Sequence, residues 1–388
     1  MTDTYFAADN RARPETGTLT HLMHDSPRRA PVTLGLLVIN SAVFVIMLLA
    51  GAGLWHTSNS VQLAWGANFG PATQDGQWWR LLSAMFLHFG VVHLALNMWA
   101  LWDVGRLVER LYGRPRFLLL YLASGAIGNL LSLVVQGNQA VSGGASGAIF
   151  SLYGALLVFL WRERRHVERG EFRWFFAAAS AFSLFALVMG QVVPGIDNAA
   201  HIGGLLAGAL LGGVLARPWT PGSPRDRLGG WLSALALASA CVVLVARIPA
   251  PSYRLGEEQR ARAAIRQFLS DDRRISERWD AILATGRRDA QSFDQIAGRL
   301  DTSVTADYQE SFEQLSALNL DAAAPSARTL EILRKYAALR TNASQAMAEG
   351  LRTKDAVKVR QALEVARQAP SLASGAKPPS ATASASVR

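Results

Sequence analysis

The sequence predicts an all-α, polytopic helical membrane protein that continues into a C-terminal soluble helical domain. Half of the 388 residues are hydrophobic, and they are concentrated before residue 250, whereas charge is concentrated after it. Before residue 250 the apolar residues form runs close to the ~20 residues needed to cross a hydrocarbon core. Beyond it they recur at helical spacing among polar and charged residues. This contrast separates two kinds of domain more firmly than chain length does.

Residues 1–32 read as a cytoplasmic polar leader. The leader carries Arg11, Arg13, Arg28 and Arg29, but it has no apolar centre and also carries Asp3, Asp9, Glu15 and Asp25. It is therefore neither a signal peptide nor a good transit peptide. Seven spans follow, at about 33–53, 84–103, 117–136, 146–161, 174–193, 199–216 and 228–247. The fourth is short, which suits a helix that begins below the membrane surface at the floor of a cavity. The connection 54–83 holds Trp55, Trp65, Trp78 and Trp79. Indoles favour the membrane–water interface, so this loop is expected on or partly within the outer leaflet.

The membrane core is bounded at 33–216, with a linker and the seventh span at 217–250. The soluble helical domain occupies 251–368, where Ile275, Trp279, Ile282 and Leu283, then Tyr308, Phe312 and Leu315, return at helical spacing. Gly286 and the Ala-Pro stretch near Pro325 are expected to separate amphipathic helices packed as hairpins. The Ser/Ala/Pro-rich end, 369–388, is expected to be disordered.

Arginines alternate along the connections. They occur as Arg106, Arg110, Arg114 and Arg116 after the second span, as Arg162, Arg164, Arg165, Arg169 and Arg173 after the fourth, and as Arg217, Arg225 and Arg227 after the sixth. The opposite connections hold only Arg80 in 54–83, and no Lys or Arg in 137–145 or 194–198. The positive-inside rule then places the N-terminus in the cytoplasm and the C-terminal domain outside it. Arg254, Arg260 and Arg262 speak mildly against that orientation, although long domains translocate largely regardless of charge. With no organelle signal, a bacterial cytoplasmic membrane is the default location. The net charge of +10 is thus a matter of topology, and no nucleic-acid partner is expected. The single cysteine, Cys241, excludes intrachain disulfides and leaves the redox compartment open.

Polar side chains at membrane depth are costly and face a protein interior or a water-filled cavity. Ser146 opens the fourth span in Gly143-Gly144-Ala145-Ser146-Gly147-Ala148, and His201 lies near the outer end of the sixth in Ala200-His201-Ile202-Gly203-Gly204. A hydroxyl and an imidazole are the two parts of a base-activated nucleophile. The alternatives are a serine that merely packs helices together and a histidine that merely bonds a carbonyl. Gly204 and Gly208, four residues apart, allow the sixth helix to approach a neighbour closely, and the fourth helix would bring Ser146 to the depth of His201.

In the second span His93 and Asn97 are one helical turn apart on one face, where both could donate hydrogen bonds to an oxyanion. His88 lies about 140° further round such a helix and is expected to hold the preceding loop. A zinc site built from these histidines is the competing reading, but the H-E-x-x-H arrangement is absent. Asp197, one turn before His201, either orients the imidazole or is a solvated loop residue; the second is simpler.

These residues resemble the rhomboid family of intramembrane serine proteases. The resemblance runs through Trp79-Arg80, the His88/His93/Asn97 series, Gly144-Ala145-Ser146-Gly147 and Ala200-His201-x-x-Gly204-x-x-x-Gly208, and it covers about 33–216. The seventh span resembles the six-plus-one arrangement within that family. The resemblance implies Ser146 as nucleophile, His201 as general base, and His93 with Asn97 at the oxyanion. It further implies Trp79 and Arg80 as anchors of the outer loop and Gly204 and Gly208 as helix-packing positions. Phe150 stands where many members carry a tyrosine stacked on the histidine, so the ring can stack but the hydroxyl is lost. Transmembrane protein substrates and the lipid bilayer are the implied partners, with a protein partner possible for 251–368. No metal or organic cofactor is implied. The alternative is a rhomboid-like protein that binds membrane clients without cutting them.

Overall fold

The computed structural model describes residues 18–24, 30–219 and 227–373. The expected leader, apart from 18–24 and 30–32, lies outside the described residues, as does the expected tail from 374 on. The chain divides into two units: Met1–Asn68 with Trp79–Pro249, and Phe69–Trp78 with Ala250–Arg388. Among the described residues the structure is helical, with a single isolated bridge between Asn68 and Ser142.

In chain order the helices begin with α1 (Leu19–His24), α2 (Pro31–Leu49), α3 (Asn59–Trp65), α4 (Gly70–Thr73) and α5 (Arg80–Ser83). A 3₁₀ turn at Ala84–Phe86 precedes α6 (Val91–Tyr112), and α7 (Arg114–Leu119) passes through a π-helical turn into α8 (Gly125–Gln136). Then come α9 (Ser146–Glu163), α10 (Arg169–Val192), α11 (Asn198–Leu215) and α12 (Arg227–Ala246). Five helical stretches are long and apolar enough to cross a membrane: Pro31–Leu49, Arg114–Gln136, Arg169–Val192, Asn198–Leu215 and Arg227–Ala246. A sixth arises when Arg80–Phe86 and Val91–Tyr112 count as one broken span. The chain is an integral, polytopic helical membrane protein. The expected fourth span is the 18-residue α9, whose last turn carries Arg162 and Glu163, leaving it a shorter apolar length than its neighbours.

The second span departs from the continuous helix expected over 84–103. It bends by 95° before Val91 and then runs on to Tyr112. The bend has a hydrogen-bonding cause. The His88 carbonyl accepts from the Gln62 side chain, the Phe89 carbonyl from the Thr57 N–H, and the Val91 N–H donates to the Leu54 carbonyl. The preceding loop thus satisfies backbone groups that a helix would otherwise pair internally. The extension past residue 103 is explained by Glu109, which is buried. Its carboxylate accepts from the N–H groups of Val32 and Thr33 and from the Thr33 hydroxyl, at 3.1, 2.7 and 2.7 Å. Those N–H groups belong to the first turn of α2, which has no intrahelical acceptors for them.

Helices α9 and α11 touch backbone to backbone. A Cβ at Gly204 would lie 2.0 Å from the Gly147 oxygen, one at Gly208 2.1 Å from the Ser151 oxygen, and one at Gly154 2.1 Å from the Leu205 oxygen. Small residues on both helices are what permit this approach. The remaining unit-one core, including Leu101, Leu107, Tyr112, Phe117, Tyr121, Leu152 and Phe159, packs around this pair. By contrast α12 buries no residue, and Trp231, Leu235 and Val242 are exposed for contact with hydrocarbon.

The second unit comprises α13 (Leu255–Arg288), α14 (Phe293–Leu300), a π-helical turn at Asp301–Thr305, α15 (Ala306–Ser316), α16 (Ala327–Arg352) and α17 (Ala356–Ala373). Ile275, Trp279, Ile282, Tyr308 and Leu315 are all buried in its core. Gly286 does not interrupt α13, as had been expected; it lies against Ile296, where a Cβ would come within 2.5 Å of that side chain. The break comes at Asp289–Gln291, and α14 then starts with a reciprocal Ser292/Gln295 capping box. The break near Pro325 separates α15 from α16. Buried Arg340 donates to the Tyr308 hydroxyl and to Ser276, and lies over the Trp279 ring; Tyr308 and Tyr336 both donate to Asp272. Burial, reinforced by the Asp272 charge, pushes the Tyr308 phenol up to about 12, so it remains a donor at neutral pH. Phe69–Trp78 belongs to this unit because the Asp75 carboxylate accepts from Gly256 N–H at 2.9 Å and Phe69 meets Tyr253 edge-on at 6.4 Å.

Candidate active site

Ser146 is the first residue of α9, and His201 lies in the first turn of α11. The glycine contacts that join these helices bring the Ser146 Oγ to 2.7 Å from the His201 Nε2. His201 is buried, and its ring lies flat against Phe150, with centroids 4.4 Å apart and planes within 5°. Phe150 follows Ser146 by four residues, one turn along the same face of α9. One helix therefore supplies both the hydroxyl and the surface that fixes the imidazole plane. Phe182 of α10 packs against both Phe150 and Tyr153. The His201 Nδ1 has no hydrogen-bond partner among the described residues.

The loop before Ser146 is held at both ends. Asn68 and Ser142 exchange backbone hydrogen bonds of 2.9 Å, and Gly144 N–H donates to the Ala84 carbonyl at 2.9 Å. Gly144 has φ +143, a conformation that L side chains rarely adopt. A Cβ there would lie 3.0 Å from the His93 Nε2 and 3.7 Å from the Ser146 Oγ, so glycine leaves open the space where His93 faces the serine.

The other expected site residues fall in mixed positions. His93 lies in the first turn of α6, where its Nδ1 accepts from the Phe89 N–H at 3.4 Å. Asn97 lies one turn on, yet its amide donates to the His93 carbonyl of its own helix at 2.8 Å. His88 sits in the bend rather than on the helix, buried, with its ring edge-on to His93 at 5.2 Å. Its backbone carbonyl takes the Gln62 amide, a contact with the preceding loop that does not depend on the imidazole. Arg80 is buried and donates to the carbonyls of Leu63 and Ala67 while its guanidinium lies over Trp79, 4.9 Å from the ring centroid. Trp79 is half exposed and packs on Gly66.

Asp197 is not the solvated loop residue that its position suggested. One oxygen accepts from the Ala200 N–H at 3.0 Å, and the other accepts from the hydroxyls of Ser132 and Ser142 at 2.5 Å each. A local signal for this was present, since Asp is among the favoured residues immediately before a helix, where it bonds the N–H three residues on. Its reach to Ser132 and Ser142 depends on residues 65 and 55 positions away, which no local signal carries.

Comparison with known proteins adds a family. The Rhomboid domain family model matches residues 75–218. The rhomboid protease GluP of Bacillus subtilis is 41% identical over 162 residues, covering 42% of this chain and 31% of that protein. The putative rhomboid protease YdcA of the same organism is 35% identical over 146 residues, covering 38% of this chain and 70% of the relative. Rhomboid-like protease 1 of Toxoplasma gondii is 31% identical over 205 residues, covering 50% and 68%. The chain spans only 31–40% of the length of GluP and two plant rhomboid-like relatives. The match to YdcA over most of that protein, with the helical membrane fold built around Ser146 and His201, establishes that this chain belongs to the rhomboid family.

Proposed function

We propose that this chain is an intramembrane serine endopeptidase that cleaves transmembrane proteins near the extracytoplasmic ends of their spans. The observation that carries the reading is the 2.7 Å Ser146–His201 contact, with the imidazole stacked on Phe150, at the junction of two membrane helices. His201 Nε2 takes the Ser146 proton as Oγ bonds to the scissile carbonyl carbon. It then delivers that proton to the departing amine as the C–N bond breaks, leaving an acyl-enzyme. Water, deprotonated by the same imidazole, attacks the ester and releases the new carboxyl terminus.

The developing oxyanion meets the N-terminus of α9, where the first backbone N–H groups have no intrahelical acceptor. His93 is the side-chain donor best supported for the same role. The Phe89 N–H directed at its Nδ1 favours the tautomer protonated on Nε2, the nitrogen that faces Gly144. Asn97 supports this arrangement by donating one amide hydrogen to the His93 carbonyl, and its second N–H is the one that would serve the oxyanion. A substrate helix must unwind on entry, because a fully hydrogen-bonded helix hides its scissile carbonyl. The reading includes a cytoplasmic N-terminus, a bacterial cytoplasmic membrane, and domain limits of 33–216 for the catalytic core and 251–368 for the helical domain.

The test is cleavage of a model transmembrane substrate by purified wild type, Ser146→Ala and His201→Ala in liposomes. Wild-type cutting with both variants inert and folded supports the dyad. Cutting that survives Ser146→Ala overturns it. Absence of both cleavage and fluorophosphonate labelling at Ser146 favours a client-binding rhomboid-like protein instead.

A further inference from the structure

We infer that Asp197 is a positioning residue that locks the base-bearing helix to the loop delivering the nucleophile. The inference rests on the proteolytic reading of Ser146 and His201. Asp197 stands immediately before α11, one turn ahead of His201, whose N–H also bonds the Asp197 carbonyl at 3.1 Å. Its carboxylate joins three elements. Through Ala200 N–H it caps α11; through Ser132 it holds α8; through Ser142 it holds the 137–145 loop, four residues before Ser146. Ser132 and Ser142 are both buried, so their hydroxyls are directed at the carboxylate rather than at solvent.

The glycine seam between α9 and α11 fixes how far apart the two helices lie. It does not fix how far α11 has slid or turned relative to the loop entering α9. The Asp197 carboxylate supplies that constraint, because one side chain bonds both partners. It does so without touching His201, since both of its oxygens are engaged elsewhere and the His201 Nδ1 has no partner among the described residues. Asp197 therefore acts through placement and not as the acidic member of a triad.

Four variants separate the possibilities in a liposome cleavage assay with kcat and KM resolved. Asn caps helices as well as Asp, and its NH₂ can donate to the two serine hydroxyls, which rotate to accept. Asp197→Asn should therefore retain most of the wild-type kcat. Asp197→Ser keeps a cap but cannot reach both serines, so kcat should fall by about 10- to 100-fold, as misplacements near 1 Å do, with KM little changed. Asp197→Ala should fall at least as far. The double variant Ser132→Ala/Ser142→Ala leaves Asp197 and its cap in place and should reproduce the kcat loss of Asp197→Ser. A wild-type kcat in Asp197→Ser or in the double serine variant reduces Asp197 to a helix cap and overturns the inference. Loss in Asp197→Asn equal to that in Asp197→Ala means the charge itself acts and also overturns it. Wild type that neither cleaves nor labels at Ser146 overturns the proteolytic reading instead, so the two failures are told apart.

Discussion

Replacing Gly204 by alanine should disconnect Ser146 from His201 without altering either residue. The new Cβ would stand 2.0 Å from the Gly147 oxygen and 2.8 Å from the Gly147 carbonyl carbon. These are backbone atoms and cannot rotate away. A relaxed C···O approach is about 3.3 Å, so α9 and α11 must part locally by roughly 1.3 Å. Gly204 is three residues from His201, and Gly147 adjoins Ser146, so the parting falls almost entirely on the site. The 2.7 Å contact would open to about 4 Å, beyond hydrogen-bonding range. Displacements near 1 Å cost on the order of 10²-fold in rate, and overpacking a close helix contact costs about 1–3 kcal/mol. The helix-propensity gain of alanine over glycine, about 0.5–1 kcal/mol, recovers only part of that. The assay is kcat in liposomes alongside the thermal midpoint, with Gly35→Ala as control, because nothing lies within 4 Å of a Cβ at Gly35. The control should keep full activity. A Gly204→Ala protein with wild-type kcat and midpoint would refute the claim that this seam sets the Ser–His distance.

Three further outcomes follow from contacts already described. Phe150→Ala removes the plate beneath the imidazole and should lower kcat by about tenfold or more, with a stability loss near the ~3–5 kcal/mol typical of buried Phe→Ala changes; Phe150→Tyr, which keeps the ring, should stay active in the same assay. Glu109→Gln retains one acceptor oxygen for three donors and should lower the thermal stability of the full chain by about 1–3 kcal/mol, read by unfolding in detergent. Arg340→Met keeps the stem but withdraws the donor from Tyr308 and Ser276 in the second unit. It should destabilise that unit by about 1–3 kcal/mol, seen as faster limited proteolysis beyond residue 250.

What could be read from the sequence, and what could not, divides along a physical line. Hydropathy located the apolar helices because the hydrocarbon core tolerates little else, and the small residues at Gly204 and Gly208 marked a close approach because bulk there would forbid it. Helix ends were less legible. Apolar character in the second span fades near residue 103, but the backbone remains helical to Tyr112, where Glu109 is held by the start of α2. The bend at His88 was equally hidden, because its cause is the set of backbone bonds taken by Leu54, Thr57 and Gln62. Gly286 misled for the opposite reason: a glycine inside a helix signals a break only when nothing packs against it, and Ile296 does.

Two carboxylates tie the membrane unit together: Asp197, which the sequence suggested was solvated, and Glu109, for which the sequence suggested no role. Each stands where a span gives way to polar sequence, and an acidic residue there is ordinarily taken as solvated. Each instead satisfies the first N–H groups of a helix, Glu109 those of α2 from another helix and Asp197 that of its own α11. A helix start at a membrane boundary has unpaired donors and a positive dipole end, so a carboxylate is the side chain best suited to meet it. Having two oxygens, it can also bond a second element, as Asp197 does with Ser132 and Ser142. The residue type at such a position announces the cap. Only the fold supplies the second partner, and it is the second partner that turns a helix cap into a constraint on where His201 stands relative to Ser146.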